Sequence, residues 1–289
     1  MLNSIKFRFL GKNLSLFLIL FLSLAFFQSC VKEDTNPPND QAAPIIPPME
    51  TFLMPFQGFN ESEVDTSEVT HDGADSRSVT FRNWAFAGGN VLVWNIVLVA
   101  NMAIPVASFA ASFNHSSVYT GNGIWAWTYD FNAAGAFHTA TLTGEFVNGG
   151  DDVQWIMTIS KAGGFSNFEY YRGVVAIDRS EANWTLNHQP NNPQSYLSIH
   201  YLNDETSGES SIRYTNIIPG AMGNGDYIEY SIQSGNDFNR AYDVYRINED
   251  NFLDIEWDEP ARNGRVKNLL HFGDEDWHCW DVDKLDIDC

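Results

Sequence analysis

"NVLVWNIVLVANMAIPVASFAASF", residues 90–113, is the most apolar stretch of the chain after its first thirty residues, and it can be read in two ways. Its valines suit a strand, whereas its length and alanine content favour a helix. We read it as helix to about Ala103, kinked or broken at Pro105, where a backbone N–H is missing, and helical again to Phe113. Because it is apolar nearly all round, it must be buried or cross a membrane. A span would enclose Asn95, Asn101 and Pro105, so a buried helix at the centre of the domain is the better expectation. On that reading a charge at Val97 or Leu98 unfolds the domain.

Downstream, from about residue 121, the apolar period changes to two. "GIWAWTYDF", residues 123–131, puts Trp125, Trp127, Tyr129 and Phe131 on one face and Ile124, Ala126, Thr128 and Asp130 on the other. Segments of the same kind follow, from "FHTATLTGEFV" through "NFLDIEW" to "RVKNLLHF", separated by clusters such as "NGGDD", "KAGGFSN" and "PGAMGNGD". Such strands and punctuation imply an antiparallel up-and-down meander, here of about eleven strands. A sheet that long must curl, close or split. The fold class expected is therefore mainly β with one buried apolar helix, the meander curled into an open or closed barrel around it.

This order of elements, over roughly residues 85–275, resembles the half-barrel lipoprotein carriers of the LolA kind and, more distantly, lipocalin-like calyces. The resemblance is architectural. "VLVWNIVLVANMAIPVASF", "YTNIIPG" and the ending "FGDEDWHCWDVDKLDIDC" are similar to a family of exported lipoproteins to which no activity is attached. That likeness implies a single domain and says nothing of chemistry.

Upstream lies a tether, residues 30–78, holding six of the eleven prolines with many Ser, Thr, Asp and Glu. The apolar patch "TFLMPFQGF", residues 51–59, is placed to dock onto the domain, which is taken as residues 79–289. Residues 1–29 have a basic start (Lys6, Arg8, Lys12), an apolar core from Leu14 to Phe27 and the small Ser29 before Cys30. A basic start, an apolar core of roughly 7–15 residues and a small residue at the cut describe a secretory signal. The arrangement resembles the signal of bacterial lipoproteins of the Bacteroidota type, in which the cysteine takes a diacylglyceryl group and its freed amine a further acyl chain such as palmitate. It departs from the usual pattern at Phe27 and Gln28. The resemblance makes Cys30 the lipid anchor in the outer membrane. Lys32, Glu33 and Asp34 resemble the short signal that sends such proteins to the cell surface; without it the periplasmic face is expected.

Charge and cysteines agree with export. The leader carries three of the 16 Lys and Arg and none of the 37 Asp and Glu, so the mature chain has 13 against 37, a formal −24. Nucleic acid, whose phosphates would be repelled, is excluded as a partner. With Cys30 acylated, Cys279 and Cys289 remain as an even pair in an oxidising compartment, and a disulfide between them is expected. No metal is expected, since "DVDKLDIDC" lacks the glycine and spacing of a calcium loop and no C-x-x-C accompanies His271 and His278.

Chemistry is harder to find. There is no G-x-S-x-G, H-E-x-x-H, Walker or G-x-G-x-x-G element, and the seven histidines are scattered. Asp254, Glu256 and Asp258 share one strand face, which a solvated acidic surface explains more cheaply than a glycosidase pair. No catalytic residue and no cofactor are assigned. The aromatic stripe of Trp125, Trp127 and Tyr129 is the ligand-binding candidate, as core, as the wall of a hydrophobic calyx or as a platform for sugars. The function expected is a non-enzymatic, lipid-anchored envelope protein that binds or carries an apolar small molecule. A surface glycan-binding or adhesion module is the alternative, and a glycosidase comes third. If Cys30 is the anchor, Cys30→Ser should release the protein from the membrane or leave an uncut precursor. Metabolic labelling with a fatty-acid analogue checks this, and an unlabelled mature protein would refute it.

Overall fold

The computed structural model describes Pro37, residues 41–56 and residues 80–289. Cys30, Lys32, Glu33 and Asp34 lie outside the described residues. One long helix, α1 (Arg82–Ser112), precedes the sheet. The strands β1 (Val118–Gly121), β2 (Ile124–Ala133), β3 (Ala136–Val147) and β4 (Asp152–Lys161) open it. β5 (Phe168–Ala176), β6 (Glu181–Gln189), β7 (Asn192–Asp204) and β8 (Glu209–Asn216) form its middle. β9 (Tyr227–Ile232), β10 (Arg240–Arg246), β11 (Asn251–Trp257), β12 (Gly264–Lys267), β13 (His278–Trp280) and β14 (Asp286–Ile287) complete it.

All fourteen strands lie in chain order in one antiparallel sheet, three more than the sequence suggests. The additions, β1, β13 and β14, have four residues or fewer, too short to show alternation. "RVKNLLHF" is strand only to Lys267; Asn268 then accepts the His271 N–H at 2.9 Å and caps a helical turn, α2 (Leu269–Phe272), which Gly273 ends at φ 83°. Asn122-Gly123 and Ala134-Gly135 join β1–β2 and β2–β3 with positive φ at both positions, as tight hairpins of right-handed twist require.

The sheet does not close, since β1 and β14 are not paired with each other. Helix α1 instead packs on β2 near one edge and on β12–β14 at the other, so the sheet curls until both ends meet one helix. No side chain of its own caps the helix N-terminus. Asp286 of β14 does so, its carboxylate accepting the N–H groups of Arg82 (3.2 Å) and Asn83 (3.0 Å). The Asn83 amide in turn donates to the carbonyl of Cys279 at 2.9 Å. Cys279 and Cys289 stand at disulfide distance, with Cα atoms 5.2 Å apart, and so close the loop that carries Asp286.

Two expectations about the helix are corrected. It runs unbroken through Pro105. Proline leaves the carbonyl four residues earlier without its donor, and the Tyr196 hydroxyl of β7 reaches that carbonyl, of Asn101, at 3.5 Å. Nor is the helix buried all round. Leu98 is 4% exposed, but its neighbour Val97 is 52% exposed, so only a charge at Leu98 strikes the core.

Part of the expected tether belongs to the fold. Residues 41–56 form a strap between α1 and the concave face of the sheet, with Thr51, Phe52 and Met54 buried. The Phe52 ring packs on Phe109 of α1 (5.0 Å between centroids) and on Tyr171 and Trp184 of the sheet (4.8 and 5.4 Å). The Tyr214 hydroxyl donates to the carbonyl of Phe52 and accepts the N–H of Met54, both at 2.8 Å, while Tyr242 donates to the carbonyl of Pro55.

Glycines make room for the wide rings of the concave wall. Trp125, Gly144, Trp155, Gly173 and Trp184 stand abreast on β2 to β6, large and small in alternation. Ile199, Tyr214, Ile228, Val244 and Leu253 continue the row to β11. A Cβ on Gly173 would lie 2.2 Å from the Trp184 ring, and one on Gly144 would lie 2.9 Å from Trp155 and 3.0 Å from Pro44 of the strap. Gly173→Ala should therefore destabilise the domain by about 1–3 kcal/mol through overpacking. Chemical denaturation of the two proteins measures it, and an unchanged midpoint would show that the tryptophan is free to move.

Candidate functional site

The expected ligand wall is largely core. Trp127 and Tyr129 are buried, Trp127 against Trp155 at 5.5 Å. The Tyr129 hydroxyl donates to the Ser108 carbonyl of α1 at 2.6 Å, which pins β2 to the helix. His115 stacks on the Tyr129 ring at 4.7 Å. Trp125 is half-buried against Tyr119, and its indole N–H has no acceptor among the described residues. These rings form no exposed planar row.

An apolar cleft lies elsewhere, between the strap and the start of the sheet. It has a volume of about 360 Å³ and is lined by Ala42, Ala43, Pro44, Ile45 and Pro47 of the strap. Opposite them are Phe146, Val153, Trp155 and Val175 of β3–β5, and Ile177 in the turn after β5. Arg179, in the same turn, is its one charged lining residue among the described residues. Arg179 is exposed, and no carboxylate of the described residues pairs with it. Asp178 beside it accepts from the backbone and hydroxyl of Ser180. An apolar concavity with one available cation suits an amphiphile with an acidic head.

A second cleft, of about 220 Å³, lies between the start of α1 and β10–β11. Its polar groups are already engaged with one another. Arg246 donates to Asn90 at 3.1 Å and Asn268 to Asn251 at 2.8 Å. They leave less for a ligand to satisfy than the apolar cleft does.

The acidic strand face resolves into a row across the convex side. Arg213, Glu229, Asp243, Asp254 and Lys267 are register partners on β8 to β12. The cations at its two ends pair with their neighbours, Arg213 with Glu229 (Nε at 2.8 Å) and Lys267 with Asp254 (3.1 Å). Glu256 pairs with Arg265 at 2.7 Å, and Asp258 accepts the N–H of Ala261 in the following turn. Asp254 and Glu256 thus serve cross-strand ion pairs and do not face each other across a cleft. Beside them, Tyr245 stacks on Phe252 at 4.4 Å, Tyr227 lies 5.7 Å from Tyr245, and Arg213 covers Tyr227 at 4.3 Å. Ring faces occupied in this way are closed to a stacking sugar, apart from the outer face of Phe252.

Histidines play structural parts in this arrangement. His138 is buried, with Nδ1 3.0 Å from the Ala136 carbonyl, and burial lowers its pKa. His200 lies 3.3 Å from Glu181, and His278 lies 3.0 Å from Asp274. Among the described residues no three metal-ligating side chains converge. In comparisons with known proteins, the chain matches no family model, no curated protein and no solved structure.

Among the described residues Asp243 carries the one large carboxyl shift. Burial, with Asp254, Glu229 and Glu256 around it, pushes its pKa up to about 6 against the pull of Arg213. A carboxyl whose pKa is higher folded than unfolded binds its proton more strongly in the folded state. Its stabilising contribution is therefore full below about pH 4 and is lost as pH rises through about 6. Asp243→Asn should leave stability unchanged near pH 3.5 and raise it at pH 7 by up to about 2–3 kcal/mol. Thermal unfolding across that range tests this, and a constant difference between the two proteins would contradict it.

Proposed function

We propose that this chain is a non-enzymatic envelope lipoprotein, held to the outer membrane through acylated Cys30, that binds an apolar ligand beside its strap. The cleft carries the reading: about 360 Å³ lined by Pro, Ala, Val, Ile and aromatic side chains, with Arg179 as the single charge among the described residues. Burial of apolar ligand surface there supplies affinity, and the guanidinium sets which end of the ligand faces water. The ligand class is an acyl chain or similar amphiphile with a carboxylate head. A curled sheet with a helix across its ends is the frame that the resemblance to half-barrel carriers implies.

A fluorescent fatty acid should bind the protein saturably. Ala43→Trp, which fills the cleft, should abolish binding. Arg179→Glu should weaken the fatty acid by about fivefold, the scale of an exposed ion pair, and leave the corresponding fatty alcohol unchanged. Fluorescence titration reads all three, and no saturable binding to the parent would end this reading.

A further inference from the structure

Helix α1 is anchored at both ends, and in its middle Leu98 is buried while the opposite side is bare. Asn83, Trp84, Ala87 and Val91 are buried near its start, and Met102, Ser108 and Phe109 towards its end. Between them Val93, Ile96, Val97 and Val99 are 55, 60, 52 and 63% exposed, with Ala100 exposed beside them. Positions 93, 96, 97 and 100 follow the i, i+3, i+4, i+7 spacing of a single helix face. No Asp, Glu, Lys or Arg occurs anywhere in residues 83–129, in a chain of formal charge −21. Soluble proteins rarely leave such a face in water.

We propose that this face lies against the lipid bilayer, in contact with a leaflet of little net charge, and orients the domain on the membrane. The inference rests on the anchored reading for proximity. From Cys30 to Gln41 the chain can extend at most about 40 Å, which keeps the helix beside the surface at millimolar effective concentration. Charge selects the occupant. Two copies, each carrying the whole acidic excess, repel one another, and a stripe of five small side chains falls well short of the roughly 800 Å² per partner that a stable pair buries. An uncharged leaflet imposes neither cost. The helix lies on the bilayer and does not cross it, because both its ends pack on the sheet. Isoleucine and valine at this depth gain by leaving water, whereas a carboxylate is expelled.

The test removes the acyl chain, so that failure of the anchor and failure of this face give different results. The mature chain, residues 30–289 with Cys30→Ser, is floated with excess phosphatidylcholine vesicles on a density gradient. The parent should float. The pair Ile96→Asp and Val97→Asp should lower the floated fraction at least tenfold with an unchanged thermal midpoint, and Val282→Asp, at an exposed valine far along the chain, should float as the parent does. Absence of flotation in the parent, equal flotation of the Asp pair, equal loss with Val282→Asp, or a parent dimer that the Asp pair dissolves would each overturn the proposal. The anchor itself is read separately, by fatty-acid labelling of the unaltered protein.

Discussion

The Phe52 ring touches all three layers of this domain at once. Phe109 holds it from the helix, and Tyr171 and Trp184 hold it from the sheet. A curled sheet encloses more width than one helix fills, so its concave face must bury aromatic rings against something further. The strap supplies that filling, and its backbone polar groups follow it into the interior. Tyr214 and Tyr242 satisfy them, and burial keeps both phenols protonated far above the usual range. Without Phe52 in place, Trp184 and Phe109 would face a void, and a lost aromatic ring of this kind costs about 3–5 kcal/mol.

The same economy of long-range contacts governs the helix. It has no cap of its own, no charged residue after Arg82, and a proline in its second half. Asp286 of β14 supplies the cap and Tyr196 of β7 reaches the carbonyl that Pro105 leaves open, while Tyr129 of β2 ties down the Ser108 carbonyl. A helix secured at both ends and at Leu98 can leave the opposite side of its middle exposed, although that side is apolar. The cleft and the bare face are thus two consequences of one arrangement. The strap packs on β3–β5 but leaves a gap over Val153 and Val175, and the helix buries one side against the sheet and leaves the other in the open.

Much of the sheet was legible in the residues. Alternation in "GIWAWTYDF" is a local property, and it marked the face on which Trp127 and Tyr129 are buried. Strand number was undercounted where alternation had no room, in segments such as Asp286–Ile287. The candidate site was far less legible. Trp125, Trp127 and Tyr129 signal a wall because they are large and periodic, yet the cleft is lined by small residues and prolines of a segment that reads as linker. Only Arg179, conspicuous beside the aliphatic "GVVAI", could have hinted at it, and a lone arginine in a turn is ordinary.

The sequence by itself determined the mainly β class, the meander, one long apolar helix and the pairing distance of Cys279 with Cys289, because each depends on neighbours or on parity. Tertiary structure alone decided the alignment of Gly144 and Gly173 beside tryptophans, the reach of Asp286 to a helix some two hundred residues earlier, and the burial of Phe52. Those outcomes depend on register and curvature, where one residue of slip turns every side chain to the other face. A run of Val, Ile and Leu states that a helix must avoid water. Which side avoids it, and against what, is settled only where the ends of the sheet come round to meet it.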